Sequence, residues 1–366
     1  MAKGLNLQLV KSENRSLVLY LLNSEGSMSR KQISARLGLT PAAVTKICSQ
    51  LIESGLVEEK GEAFEHGRSG RREILLSLKL ADKAILGINA EKDVITLSVS
   101  SLDGTLIKSK QIPFSDDVEA VISQAVAFKN KFKTASLIGA GVCVIGSVDE
   151  DDFGIWKDKR LKEKLENALN LPVVIENNVK AFAESELIYG KLKNPNSILF
   201  LKWGPGLGSA IVANGKVFSG SDSSVAEIGH YIVNAGGVKC RCGRFGCLET
   251  EASEDAILNE VNSDKPLDEL LKNCDNNTMN IIDHKINMVA LAVTNTATIL
   301  STDNIVLFGT MFKNEIIAEK LKKQCMRYNT NLTDDIIKKS ALNEKSGYIG
   351  CCAICAKHFF FEADGR

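Results

Sequence analysis

Four side chains that can bind a metal lie within a span of eighteen residues: His230, Cys240, Cys242 and Cys247. Thiolate and imidazole are donors that Zn²⁺ prefers, and structural zinc sites close at four ligands. Gly243 and Gly246 lie between the last two cysteines, where the chain must fold back around an ion. The spacing therefore predicts a structural Zn²⁺ site; the alternative is a cysteine-rich loop without metal.

The same segment carries polar groups that can recognise a small ligand. Glu227 and Glu249 flank the four metal-binding residues in the sequence. A histidine and three thiolates leave no open position for a water molecule, so zinc would brace this segment rather than catalyse a reaction. We expect the ion to orient His230, one ring nitrogen binding the metal and the other donating to a ligand.

Length and charge indicate at least two parts. The chain has 366 residues, which is long for one domain, and its 44% hydrophobic and 25% charged residues are typical of a globular protein. Residues 1–80 contain 12 Lys or Arg and eight Asp or Glu, although the whole chain has no net charge. A mildly basic head on a mildly acidic body favours a nucleic-acid-binding module joined to another domain.

Nothing in the sequence indicates a membrane or an oxidising compartment. The N-terminal residues lack the apolar segment of a signal peptide, and no stretch of about 18 apolar residues occurs. Ten cysteines in 366 residues do not form a disulfide scaffold, and Cys351, Cys352 and Cys355 lie in an apolar segment typical of a core. We therefore expect a soluble, cytoplasmic protein.

The head has the pattern of a winged helix-turn-helix. Residues 14–22 form an amphipathic helix, and Ser29 with Gln32 matches a capping box at the start of a second helix. Thr40 and Pro41 begin a third helix as N-cap and first residue, after a turn at Gly38. Residues 56–59 and 74–77 then read as two strands. The alternative is a small structural helical domain with a solvated hairpin.

A helix-turn-helix presents the start of its second helix to DNA. Basic residues on a glycine-flexible wing suit phosphate or minor-groove contacts. The predicted DNA-binding residues are Arg30, Lys31, Thr40, Ala42, Ala43, Thr45, Lys46, Arg68, Arg71 and Arg72.

From about residue 82 the pattern changes to strands that alternate with helices. Hairpin strands come first and isolated buried strands follow, which favours an α/β fold with covered sheets. The predicted strands cover 84–89, 94–100, 106–112, 135–145, 173–176, 198–201, 210–213 and 305–308, and the helices cover 118–132, 161–169 and 177–189.

The head, the body and the EIGH…CxCGxxGCLE segment together resemble the ROK family of repressors, open reading frames and kinases, in particular its repressor branch. The resemblance implies a winged head at 1–80 and a sugar-sensing domain at 81–366 with a two-lobed, actin-like and ribonuclease H-like ATPase fold. Lobe one is expected at 81–188 together with a C-terminal helix at 347–361, and lobe two at 189–346. A sugar site in the cleft between the lobes is implied.

Kinases of this family need three features that this sequence alters. The phosphate-binding turn after the first strand lacks glycine and has Asn89 in place of the acidic residue. The general-base Asp is replaced by Asn178, and an amide cannot take up the proton. Phe308 occupies the first position of the late glycine turn, whereas the loop from Gly204 to Gly208 is kept. The sequence therefore predicts no enzyme activity.

By resemblance, the ligand site consists of Asn177, Asn178, Glu227, His230 and Glu249, and it would take a sugar or sugar derivative whose identity the sequence leaves open. Carboxylates and amides suit vicinal hydroxyls, which they can bind in bidentate fashion.

We expect a homodimer, or a tetramer, that binds a double-stranded operator and changes its DNA affinity when the sugar closes the lobes. Whether the ligand releases or promotes DNA binding stays open. The alternatives are a sugar kinase with an appended head and a ligand-independent DNA-binding or interaction scaffold.

Overall fold

The computed structural model of the chain describes residues 7–63, 73–80, 82–132, 136–149, 153–192, 195–220, 225–272 and 275–362. The predicted α/β class is confirmed: each of two five-stranded sheets packs with helices, and a small winged domain precedes them. Contacts divide the chain into a first unit (1–145, 151–176 and 350–366) and a second unit (146–150 and 177–349). The predicted lobe boundary at residue 188 differs from this division, which assigns 177–188 to the second unit.

The head follows the predicted order of helices and strands. Its elements are α1 (Leu7–Glu25), β1 (Met28–Ser29), α2 (Arg30–Leu37), α3 (Pro41–Glu53), β2 (Val57–Ala63) and β3 (Glu73–Leu78), with the strands in the order β1-β3-β2. Both side chains of the capping box at α2 make their hydrogen bonds, between Ser29 and Gln32. Thr40 caps α3 through the backbone N–H of Ala43. Local capping chemistry therefore sets the two helices of the helix-turn-helix.

The first unit contains one five-stranded sheet. Its elements are β4 (Ala84–Ala90), β5 (Val94–Ser101), β6 (Leu106–Pro113), α4 (Val118–Lys129), β7 (Leu137–Val144), α5 (Leu161–Leu169) and β8 (Val173–Asn177). The strand order is β6-β5-β4-β7-β8; the first three strands pair antiparallel and β7 pairs parallel with β4. Every residue of β4 is buried, as a central strand requires.

The second unit repeats this arrangement. Its elements are α6 (Asn178–Tyr189), β9 (Ser197–Trp203), β10 (Leu207–Ala213), β11 (Lys216–Val217), α7 (Leu248–Ala252), α8 (Glu254–Glu260), α9 (Leu267–Lys272), α10 (Asn276–Leu300), β12 (Asn304–Phe308), α11 (Glu315–Tyr328) and β13 (Ile337–Lys339). The strand order is β11-β10-β9-β12-β13, with β10 antiparallel and β12 parallel to β9. Both sheets thus consist of an antiparallel meander extended by two further strands.

The C-terminal segment belongs to the first unit from Gly350 onward. It forms α12 (Ile349–Ala356) and a π-helical turn (Lys357–Phe361). A Cβ on Gly141 of β7 would overlap the backbone of Cys351, so glycine is required where α12 crosses the sheet. At the other end of the segment, the rings of Tyr20 in α1 and Phe361 stack with centroids 4.7 Å apart. The hydroxyl of Tyr20 donates to Oε1 of Glu362 at 3.2 Å.

Within the described ranges, no helix is both long enough and apolar enough to cross a membrane.

Candidate functional site

The structure brings the four predicted metal ligands together. Their donor atoms, on His230, Cys240, Cys242 and Cys247, all lie within 4.8 Å of one another. Nδ1 of His230 is 3.5 Å from Sγ of Cys240, and the sulfur atoms of Cys242 and Cys247 are 3.6 Å apart. A tetrahedral zinc site with ordinary bond lengths needs donor separations of about 3.5–3.8 Å. This cluster can therefore hold a metal ion, and its spacing fits zinc.

The backbone around the cluster folds as the glycines predict. Gly243 and Gly246 both have positive φ, at 88° and 64°. A Cβ on Gly246 would overlap the carbonyl of Asn234, and the amide of Cys240 donates to the carbonyl of Arg244 at 2.7 Å. The segment from Val238 to Cys247, which we call the knuckle, is thus a tight turn that only glycine permits at two positions.

Two cysteine thiols of the knuckle have shifted pKa values. Burial raises the pKa of the Cys242 thiol, but hydrogen bonds from the Arg244 backbone and from neighbouring thiols outweigh it and lower the pKa to about 7. Burial, and then hydrogen bonds with the Cys242 and Cys240 thiols, raise the pKa of Cys247 to about 12. Three thiols packed this closely cannot all ionise without a cation between them, which agrees with a metal site.

His230 links the cluster to the predicted ligand site. It ends a 3₁₀ turn (Ile228–His230) that follows Glu227. Nδ1 faces the cluster, and Nε2 lies 3.5 Å from Oε2 of Glu227. A Cβ on Gly229, between them, would overlap the carbonyl oxygen of Leu207, so the turn must pass close to β10. A metal on Nδ1 would leave the proton on Nε2, directed at Glu227 and its surroundings.

Glu249 is the second ligand-site carboxylate, in the first turn of α7 directly after Cys247 and Leu248. Its Oε1 accepts the backbone N–H of Leu207 at 3.3 Å and the guanidinium of Arg241 at 3.2 Å. Sequence reasoning did not identify Arg241, because its partner lies eight residues away and no motif pairs them. The only available signal was a basic residue between two metal ligands.

The two asparagines of the predicted ligand site have different environments. Asn177 is the N-cap of α6: its Oδ1 accepts the N–H groups of Val179 and Lys180, and its Nδ2 donates to the carbonyl of Gly146 at 2.8 Å. Asn178 is 3% exposed and its Nδ2 is buried without a partner among the described atoms. Capping therefore occupies much of the amide of Asn177, whereas Asn178 keeps a donor available.

The other two altered kinase positions are core residues. Asn89 is 2% exposed in β4, in the first unit. Phe308, at the end of β12, is fully buried and stacks on Phe182 with centroids 4.6 Å apart. An aromatic side chain thus packs where a glycine turn was expected to begin.

The predicted reading surface on α3 is exposed. Thr40, Ala42, Thr45 and Lys46 face solvent and Ala43 is half-buried, whereas Val44 and Cys48 face the core. The exposed residues Ser49 and Gln50 extend the same face by one turn and were missed, because a polar residue late in a helix carries no distinctive signal.

The predicted DNA-binding arginines and lysines outside α3 divide into two groups. Arg30 pairs with Glu59 at 3.0 Å and Lys31 with Glu73 at 3.2 Å, so both join α2 to the wing strands. Arg68, Arg71 and Arg72 lie outside the described residues, and their role in DNA binding stays a prediction.

Comparisons with known proteins identify the two parts of the chain. Residues 85–358 match the model of the ROK family, and residues 11–58 match a winged helix-turn-helix DNA-binding model. The chain is 29% identical to the xylose repressor of Bacillus spizizenii over 265 residues, which cover 69% of this chain and 68% of that protein. It is 30% identical to the DNA-binding transcriptional dual regulator NagC of Escherichia coli K12 over 270 residues, 70% of this chain and 66% of that protein.

A solved structure shares the whole architecture. It is a ROK family transcriptional regulator described as a homolog of the E. coli MLC protein, with a TM-score of 0.81 and 20% identity, covering 96% of this chain and 97% of that one. At this identity the likeness concerns the fold, and it includes the head as well as both sheets.

Proposed function

Because most of its length matches the family model, this chain belongs to the ROK family, and from this premise we propose that it is a sugar-responsive, DNA-binding transcriptional repressor. The single observation that carries the proposal is the combination of an exposed, correctly capped reader helix with a ROK domain. Its relatives include a xylose repressor and a transcriptional regulator. An operator-binding protein acts where the chromosome lies, which we take to be the cytoplasm.

We propose that α3 reads the operator through Thr40, Ala42, Ala43, Thr45 and Lys46 while arginines of the wing contact the backbone. A homodimer, or a tetramer built from it, would place two heads on a pseudo-palindromic site. Arg30 and Lys31 would contact DNA by exchanging their carboxylate partners, Glu59 and Glu73, for phosphate.

The effector is proposed to be a sugar or sugar derivative held by Asn177, Asn178, Glu227, His230 and Glu249. All five residues belong to the second unit, and hydroxyl groups suit their carboxylates, amide and ring nitrogen. We propose that Zn²⁺ occupies the cluster and fixes His230 and Glu249, on either side of the knuckle, at the ligand. The chemistry that zinc supplies there is structural, because all four coordination positions are filled by the protein.

We also propose that the chain does not phosphorylate its ligand. Asn178 cannot act as a general base, and Phe308 fills the position expected for a glycine turn. ATP-dependent phosphorylation of D-xylose or N-acetyl-D-glucosamine above background would contradict this proposal.

DNA binding is tested by fluorescence anisotropy with operator fragments, with and without D-xylose and N-acetyl-D-glucosamine. Coupling between ligand and DNA of a typical 1–3 kcal/mol changes the operator affinity about 5–150-fold. Sugar-independent operator binding would favour the scaffold alternative.

The wing is tested with Arg71→Ala. If Arg71 contacts phosphate, the variant binds all sequences more weakly and the salt slope falls by about 1. A change confined to the preference for one base would mean that this arginine reads sequence instead.

A further inference from the structure

Arg241 lies in the knuckle and contacts Glu249, a residue of the proposed ligand site. Its backbone lies between Cys240 and Cys242, and a hydrogen bond of 2.9 Å from the amide of Gly243 to the carbonyl of Cys240 closes the turn around it. Nη2 of Arg241 is 3.2 Å from Oε1 of Glu249. The flanking cysteines therefore fix the backbone position of Arg241, and the contact with Glu249 fixes the position of its guanidinium.

The pair is too exposed to matter much for folding. The Arg241 side chain is 61% exposed, although that of Glu249 is only 15% exposed. Ion pairs with one partner in solvent contribute little to stability, because water screens the charges and the long side chain loses rotamer freedom. The consequence of the contact is therefore the orientation of the Glu249 carboxylate.

Two donors converge on one oxygen of that carboxylate. Oε1 of Glu249 accepts both Nη2 of Arg241 and the backbone N–H of Leu207. Gly206 permits this approach, since a Cβ there would lie 2.8 Å from the same oxygen. For Oε2 the described part of the chain supplies no hydrogen-bond donor. The carboxylate thus offers one free oxygen to a ligand, although an unrestrained glutamate offers two.

We propose that Arg241 is a positioning residue that holds Glu249 in a single-acceptor orientation and so determines which arrangements of sugar hydroxyls the site binds. The inference rests on the proposed sugar-binding function. With Oε1 occupied, sugar hydroxyls can approach only Oε2, from one side of the carboxylate, whereas a freely rotating carboxylate can accept a vicinal diol through both of its oxygens. Removal of the guanidinium therefore weakens the preferred sugar and relaxes discrimination between sugars that differ at neighbouring hydroxyls.

The first test is calorimetric titration of the zinc-loaded full chain with D-xylose and with N-acetyl-D-glucosamine. Arg241→Ala is expected to lower the affinity for the sugar that the wild type binds by about tenfold, the effect of a weakened charged hydrogen bond. Arg241→Lys restores part of the loss, because ammonium supplies charge without the planar donor geometry. Lys239→Ala, which removes an exposed cation from the same knuckle, leaves the affinity unchanged. Equal affinities for wild type and Arg241→Ala would overturn the inference.

The second test needs no sugar. A chelator removes zinc from the wild type, Arg241→Ala, Glu249→Gln and the double variant, and the release rates are compared. The pair also tethers the backbone between Cys240 and Cys242 to Glu249, so its loss should open this turn locally without unfolding the domain. If Arg241 acts through Glu249, each single variant therefore releases zinc faster than the wild type, and the double variant releases it no faster than Glu249→Gln. Rates that multiply in the double variant, or single variants identical to the wild type, would contradict the inference. A wild type that binds neither sugar would count against the proposed function, and the release rates would still decide on Arg241.

Discussion

The two five-stranded sheets share one strand order but differ in the turn between their first two strands. In the first unit, β4 and β5 join through Glu91, Lys92 and Asp93, an ordinary hairpin in which the amide of Glu91 donates to the carbonyl of Val94. In the second unit, β9 and β10 join through Gly204, Pro205 and Gly206, and this turn approaches the carboxylate of Glu249.

The difference shows that topology alone does not decide what a sheet binds. The acidic turn of the first unit would repel phosphate, whereas the glycine turn of the second unit lets backbone reach a side chain. In the second unit the glycine turn makes hydrogen bonds within the protein. The amide of Leu207 donates to the carboxylate of Glu249, and the amide of Glu254 donates to the carbonyl of Gly204. The glycine turn of the second unit therefore contacts Glu249, a residue of the proposed ligand site.

The largest expected effect comes from removing the proposed metal, whose four candidate ligands all belong to the second unit. Cys242→Ser should reduce bound zinc from one equivalent to nearly none, because a serine hydroxyl is a poor zinc ligand and three donors leave the structural site incomplete. Sugar binding should be lost with it. Elemental analysis and calorimetry measure both, and Lys239→Ala should keep both. Sugar binding that survives without metal would show that the second turn positions Glu249 by itself.

The next effect compares the two turns directly. Gly206→Ala places a Cβ 2.8 Å from Oε1 of Glu249, and the carboxylate must move. We expect about tenfold weaker sugar binding, as for one impaired hydrogen bond to a charged group, with little loss of stability. Asp93→Ala in the first turn should change the affinity less than about twofold. Equal effects in the two turns would remove the distinction between them.

A smaller effect tests whether one residue can restore kinase chemistry. Asn178→Asp supplies the missing carboxylate at a position that is 3% exposed. Burial of the charge should cost about 1–3 kcal/mol of unfolding free energy at neutral pH and less in acid. Phosphorylation of D-xylose and N-acetyl-D-glucosamine should stay at background, because the first turn still repels phosphate. Asn178→Ala is the control for the lost amide. ADP production by Asn178→Asp above background, measured in a coupled assay, would overturn the contrast between the two turns.

The smallest expected effect is a change in how the stability depends on pH, and it compares buried titratable groups of the two units. Burial raises the pKa of Glu186 in α6, and a hydrogen bond from Ser340 opposes the shift only in part. The folded protein therefore holds this proton where the unfolded chain has lost it, and stability falls as pH rises from the ordinary glutamate range through the raised pKa.

Glu186→Gln should remove this pH dependence, so that its stability relative to wild type improves as pH rises from the ordinary glutamate range, near pH 4, through the raised pKa. Denaturant unfolding at several pH values measures the free energy of unfolding of both proteins. In the first unit, burial raises the pKa of the Cys143 thiol and keeps it neutral, so Cys143→Ser should leave the slope unchanged. Parallel curves for wild type and Glu186→Gln would show that the acid is charged in the fold.

Local chemistry made much of the fold predictable from sequence. Ser29 with Gln32 and Thr40 with Pro41 placed the starts of α2 and α3, and leucine spacing placed α5 at its observed bounds. The metal ligands were readable because three thiols and an imidazole in one short segment have few other uses.

What sequence could not predict depends on distant neighbours. The pairing of Arg241 with Glu249 and the hydrogen bond from Nδ2 of Asn177 to the carbonyl of Gly146 arise only when distant parts of the chain meet. The left-handed conformation of Ala226, at φ 67°, has no sequence signal, since alanine rarely adopts it. Its carbonyl accepts the hydroxyl of Ser209, which in turn accepts the amide of Ile228, so tertiary hydrogen bonds hold this turn before Glu227.

The stack of Tyr20 on Phe361 has a consequence for synthesis on the ribosome. The head emerges first, yet the aromatic partner of α1 is translated more than three hundred residues later. At about 5–20 residues per second, the nascent head spends tens of seconds without that partner. The first unit can complete its packing only after residues 350–362 have followed, so a prematurely terminated chain carries a reader helix without its C-terminal support. The head therefore gains its contact with the C-terminal segment only after residues 350–362 have been synthesised.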